Sequence, residues 1–195
     1  MALTTYSELQ TAVAQWMNRG DLTALIPDFI TLAEERMNRA LRVRQMETAL
    51  AETAIAGNIV AVPTDTVGVK TLWIVGYEDS PLRTQTYEAL LSMGTEGVPT
   101  HWAWQGDNFY FDGAGSVEGV LYTKIPALSD SATTNWLLTA HPSAYLCGAL
   151  AEAFDYTRND KERDRWLGKF ERAVGEIMGS DMRDRLSGPL QVRAR

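Results

Sequence analysis

The chain has a single cysteine, Cys147, in 195 residues, so no disulfide framework can form within it, and a reducing compartment is the natural expectation. Cys147 sits inside an apolar helical pattern, and the nearest histidine, His141, lies at that helix's entrance. Core packing is therefore the expected role for its thiol. Histidine is also scarce: His101 and His141 are the only two, and with one cysteine they form no metal-ligand spacing, so neither a metal site nor a cofactor is expected. Basic excess is missing as well. A formal charge of −7 argues against a protein whose main business is gripping nucleic acid, yet suits a surface past which DNA slides without sticking. No apolar run approaches about 18 residues, and the first residues lack the basic, apolar, small-residue order of an export signal. The expectation is a soluble, intracellular protein without membrane contact.

Helical pattern dominates both ends of the chain. Thr5-Tyr6-Ser7-Glu8 has the spacing of a capping box, and Tyr6, Leu9, Val13 and Trp16 recur at three, four and three, which predicts a helix to about Met17. Asn18-Arg19-Gly20-Asp21 ends it. Pro27 and Asp28 mark a second helix start, with Ile26, Ile30, Ala33, Met37 and Leu41 as its buried stripe and Glu35 and Arg39 one turn apart on its surface. The stretch from Thr134 to Met178 is the most organised. It passes through Asn135-Trp136-Leu137-Leu138 and His141-Pro142 into a helix with Leu146, Leu150 and Phe154 on one face and Ala149, Ala151 and Ala153 keeping the other sides slim. Such a helix can be touched from several directions. A second pattern places Trp166, Phe170, Ala173, Val174 and Ile177 on one stripe, with Asn159 as its cap and Glu162 placed to reach back. Amphipathic helices from the two ends most simply bury their stripes together.

Between about 45 and 126, glycine and proline become frequent and β-branched and aromatic residues gather in short runs. Thr48 to Ala54 and Ile59 to Val62 flank Gly57-Asn58, which predicts a hairpin between them. Lys70 to Val75 is too apolar for an edge facing water. Leu82 to Thr86 suggests a short strand before a brief helix from Tyr87 to Met93, closed by Gly94. His101 to Trp104 and Phe109 to Phe111 form a second hairpin, and Val117 to Lys124 completes the set. The fold class is α+β: a four-helix bundle built from both ends (1–44 and 127–187), an antiparallel β insertion (45–126) and a flexible C-terminal tail (188–195). Gly188-Pro189 stops the last helix, and composition leaves the tail open between a disordered end and an arm ordered by a partner.

No catalytic constellation is visible. Gly113, Gly115 and Gly119 miss the dinucleotide spacing and join strand to strand, so they are expected as turn glycines. Glu34-Glu35, Glu152 with Asp155, and Asp160 with Glu162 fall at helical surface or capping positions, where solvated charge is expected, and no acid is paired with a base. Trp102, Trp104, Phe109, Tyr110 and Phe111 could stack bases or sugars, but alternation gives a cross-strand core cluster, and no Lys or Arg lies between Thr95 and Val120. Arg36, Arg39, Arg42 and Arg44 are the only dense basic group; Arg39 and Arg42 suit a helix C-terminus, and an exposed set also suits an acidic partner surface.

Leu3-Thr4-Thr5-Tyr6-Ser7-Glu8-Leu9, then Asp21-Leu22-Thr23 and Ile26 to Glu34, then Pro126-Ala127-Leu128-Ser129, Thr134 to Leu138 and Pro142 to Glu152, together resemble the head-to-tail adaptor proteins of short-tailed bacteriophages. The resemblance spans nearly the whole chain and is loosest in the β insertion. It implies a non-enzymatic virion component at the head-to-tail interface, present in the host cytoplasm during assembly, that forms a ring, commonly of twelve copies, beneath the portal protein. Its other partners would be tail nozzle and tail fibre proteins and the genomic DNA passing through the channel without sequence-specific binding. The tail residues Leu190, Gln191, Val192, Arg193, Ala194 and Arg195 would reach into the portal. Arg36, Arg39, Arg42, Arg44, Glu162, Arg165, Lys169 and Arg172 would serve as subunit or portal contacts. The competing readings are a small phage-encoded hydrolase and a DNA-packaging accessory.

Overall fold

The helix starts follow their caps. In the computed structural model, which describes residues 3–94 and 97–186, the Thr5 hydroxyl accepts from the Glu8 N–H at 3.3 Å, and the Glu8 carboxylate accepts from the Thr5 N–H at 3.0 Å. The box thereby satisfies two orphan donors of α1 (Tyr6–Met17), which ends where Asn18 turns left-handed. α2 (Ile26–Ala40) carries Pro27 in its first turn and buries Ile26, Ile30, Ala33 and Met37, with Leu41 buried just beyond. A short α3 (Tyr87–Leu91) lies among the strands. Then come α4 (Trp136–Ala140), α5 (Pro142–Tyr156) and α6 (Asp160–Arg185). The described residues up to Gln45 and from Ile125 onward make one compact unit, and Met46–Lys124 makes a second.

In the helical unit α5 is the hub. Every residue from Ala144 to Ala153 is buried, and α1, α2, α4 and α6 all pack on it. Small residues permit this: a Cβ on Gly148 would stand 3.0 Å from the Ala33 Cβ and 3.2 Å from the Phe170 ring, so α2 and α6 close on it from two sides. α6 buries Trp166, Phe170, Val174 and Ile177 as its period predicts, and continues beyond that stripe to Arg185. Its extra turns are anchored by a polar contact that hydrophobic periodicity does not register: buried Asp181 accepts from the Arg44 Nε at 2.8 Å and the Arg185 Nε at 2.6 Å. The expected box at its start is half made. Asn159 Oδ1 accepts from the Glu162 N–H, whereas the Glu162 carboxylate turns to Arg165.

The second unit holds β1 (Glu47–Ala54), β2 (Ile59–Ala61), β3 (Thr66–Ile74), β4 (Arg83–Thr84), β5 (His101–Gln105), β6 (Asn108–Phe111) and β7 (Ser116–Thr123). They form a three-stranded sheet ordered β1-β7-β3 and a four-stranded sheet ordered β2-β6-β5-β4. Three expectations are corrected here. Gly57 and Asn58 do make a positive-φ turn, but β1 and β2 leave it for different sheets, joined only by an Ala56–Ile59 bridge. β3 is an edge after all; Leu72 and Ile74 point inward, and the Leu72 carbonyl accepts from the Leu82 N–H, which covers part of the edge. The insertion is also not purely antiparallel, because β4 pairs with β5 in parallel.

The aromatic cluster is core. Trp102 and Phe109 meet edge-to-face at 5.5 Å, and Phe109 and Phe111 are buried, while Trp104 packs on Phe109 with its outer side exposed. Among the three glycines, Gly119 is no turn residue: it lies in mid-strand on β7, opposite Leu72 of β3 and Leu50 of β1. A Cβ on Gly113 would fall 2.3 Å from the Gly97 carbonyl oxygen, so this position demands a close backbone approach.

Candidate functional site

The charged residues expected to face partners are largely engaged within the chain. Arg36 ion-pairs with the buried Glu152, Arg39 stands 3.8 Å from Glu35, and an Arg42 Nη1 donates to the Asn38 and Leu41 carbonyls at the end of α2. Arg44 bridges Asp181 and Asp184, at 2.8 and 2.7 Å. On α6, Arg165 pairs with Glu162 at 3.3 Å, Lys169 Nζ lies 3.9 Å from the centre of the Trp166 ring, and Arg172 is exposed. The sequence set thus divides into Arg36 and Arg44, which tie α2 and its exit to α5 and α6, Arg39 and Arg42, which bond along α2 and its end, and a charged stripe on α6 beside Trp166. Leu190 to Arg195 lie outside the described residues.

Two buried carboxylates contradict the expectation of solvated charge. Glu34 is 6% exposed, and its Oε1 accepts from the Leu128 N–H at 2.9 Å and the Tyr145 hydroxyl at 3.1 Å. Asn135 Nδ2 donates at 2.6 Å both to the Tyr145 oxygen and to the Pro126 carbonyl, while its Oδ1 caps α4 through the Leu138 N–H. One polar network therefore pins the segment entering α4 onto α2 and α5, within the span of Pro126 to Glu152 that carried the resemblance. Glu152 is the second buried carboxylate, held by Arg36.

Burial raises the Glu34 pKa above its ordinary value of 4.5, against the opposing Leu128 N–H and Tyr145 hydroxyl. In the window above 4.5 the folded chain then holds this proton more readily than the unfolded chain, so the Glu34 contribution to stability falls as pH rises. Glu34→Gln keeps an oxygen for both donors and is expected to lose less stability than the wild type between pH 4.5 and 7. Urea unfolding of both proteins across that range checks it; parallel curves would count against the assignment.

Sequence reasoning also missed an acid beside a base. Asp112 accepts from the His101 Nδ1 at 3.1 Å, from the Thr100 hydroxyl at 2.9 Å, and from the backbone N–H groups of Thr100 and His101. Burial opposes ionisation of Asp112, but these four bonds outweigh it and hold the carboxyl below its ordinary range. The signal was present in the β5–β6 register: Trp102 opposite Phe111 puts His101 across from Asp112. Cys147 is buried, and burial pushes its thiol pKa up, as fits a core residue and not a nucleophile. Among the described residues no group of three or more His, Cys, Asp or Glu could hold a metal ion, and no helix is long and apolar enough to cross a membrane.

A helical unit tied together by internal ion pairs, interrupted by a two-sheet insertion, defines an α+β protein whose most organised polar groups serve its own architecture. The family model for the SU10 adaptor protein matches residues 4–193, and the chain belongs to that family of phage adaptor proteins. The resemblance to head-to-tail adaptors is thereby borne out, and the chain is a structural protein of a bacteriophage. No curated protein matches the chain.

Proposed function

We propose that the chain is a head-to-tail adaptor that assembles as a ring of twelve copies below the portal protein, extends the DNA channel and offers attachment to tail nozzle and tail fibre proteins. The observation that carries this reading is the family match over residues 4–193. The four long helices α1, α2, α5 and α6 act in it as a bundle that abuts neighbouring copies and the portal. A closed ring is a heterologous assembly, in which two different patches of each subunit meet. The α6 stripe of Glu162, Arg165, Lys169 and Arg172 supplies one patch, and the net charge of −7 suits a conduit for DNA.

Mixing the purified chain with purified portal protein is expected to give a complex holding a fixed multiple of this chain by native mass measurement. A complex without fixed stoichiometry would sink the ring. In the same assay, deletion of residues 189–195 should weaken docking while leaving the circular dichroism of the chain unchanged; unimpaired docking would remove the tail arm from the reading.

A further inference from the structure

The insertion carries a cavity of about 430 Å³, lined among others by Tyr77, Pro81, Arg83, Val98, Pro99 and His101. Arg83 on β4 and His101 on β5 are register partners on adjacent strands, so their side chains stand side by side on one face, and both line the cavity. β4 is the edge of its sheet. The insertion has three cations. Lys70 is paired with Glu47 at 2.7 Å and Lys124 stands 3.6 Å from Asp65, whereas Arg83 has no ion pair or side-chain hydrogen bond among the described residues. No described lining residue carries a carboxylate; Asp112, which contacts the lining residues Thr100 and His101, is occupied by four donors, and Glu78 accepts from the Gly76 N–H.

His101 gives the site a second polarity. The Thr100 hydroxyl donates to Asp112, and the His101 Nδ1 lies against the same carboxylate oxygen, which places the ring proton on Nδ1. In the neutral ring Nε2 is then an acceptor, without a partner among the described residues. The cavity therefore presents a guanidinium donor fork next to an imidazole acceptor, between walls of proline, valine and tyrosine of which Val98 and Tyr77 are exposed. Peptide chains supply that combination: a side-chain carboxylate for Arg83, an amide N–H for Nε2, and carbon for the walls. A phosphate offers no donor when fully ionised, and a nucleic-acid backbone needs several cations along its length, where this site offers one.

We propose that this cavity binds a peptide segment of a partner protein, with one Asp or Glu carboxylate seated on Arg83. The inference stands apart from the ring reading and can fail without it. It is tested with the full-length chain on an array of short peptides that have randomised flanks and a central Asp, Glu, Asn or Gln, the best acidic binder then being titrated by fluorescence anisotropy. Acidic centres are expected to bind at least about tenfold more tightly than their amide counterparts. Arg83→Met should abolish that preference without lowering the unfolding temperature, since Arg83 is exposed, and Arg83→Lys should restore part of it. The proposal is overturned if the array shows no acidic preference, or if Arg83→Met binds acidic peptides like the wild type. Inorganic phosphate binding as tightly as the best peptide would also overturn it, by giving the site to a free anion.

Discussion

Gly119→Ala is expected to destabilise the β unit by about 3 kcal/mol or more, the upper range for forcing a methyl into packed structure. The added Cβ would fall 2.4 Å from the Thr71 carbonyl oxygen and 2.5 Å from Leu72 Cδ2, with the Leu72 Cα at 3.1 Å. Retreat is blocked on both sides. β7 is the central strand, held by β1 across Gly119 and Leu50, and β3 is tied back through the Leu82 N–H on the Leu72 carbonyl. Gly175→Ala is the natural control, because a Cβ there meets nothing within 4 Å and alanine suits a helix interior better by about 1 kcal/mol. Denaturation followed by tryptophan fluorescence should show a large fall in midpoint for Gly119→Ala and none for Gly175→Ala. A Gly119→Ala protein as stable as the wild type would mean that β3 and β7 do not approach this closely.

Tyr145→Ala should cost about 4–5 kcal/mol, because two losses coincide at one residue. The ring is fully buried, so its removal opens a cavity at the hub helix. Its hydroxyl is the link between Glu34 and Asn135, and without it a buried carboxylate and a buried amide each lose a partner. Tyr145→Phe separates the two effects, keeping the ring and losing about 1–3 kcal/mol for the stranded polar groups. Chemical denaturation of both variants checks the partition. Equal midpoints for Tyr145→Phe and the wild type would show that the network is not closed through this hydroxyl.

The helices were legible because their information is local. Thr5 and Glu8 sit three apart, Pro27 marks a first turn, and the period of Trp166, Phe170, Val174 and Ile177 fixes which face of α6 goes in. What escaped depends on partners distant in sequence. Glu34 reads as a surface residue until Tyr145 and the Leu128 N–H reach it from over ninety positions away. Asp181, which carries α6 beyond its apolar period, needs Arg44 to explain its burial. In the insertion the turn at Gly57-Asn58 was legible and the pairing was not, since a turn fixes only where the chain reverses, and the choice of sheet belongs to β6 and β7, which come far later. The His101–Asp112 contact was missed although the predicted β5–β6 hairpin held it, because it lies one pair beyond the strand ends read from the sequence.

The way the insertion closes on itself bears on the order of folding. Its first strand and its last are neighbours: Glu47 pairs with Tyr122, Thr48 with Leu121, and the Thr48 and Thr123 hydroxyls meet at 3.0 Å. Were the insertion unfolded, α2 and α5 could meet only by closing a loop of nearly the whole middle of the chain, with the entropy that carries. Once β1 and β7 are zipped, the same closure spans only residues 41–46 on one side and 124–141 on the other. The helical unit then folds as if its two halves had been joined by a much shorter connector.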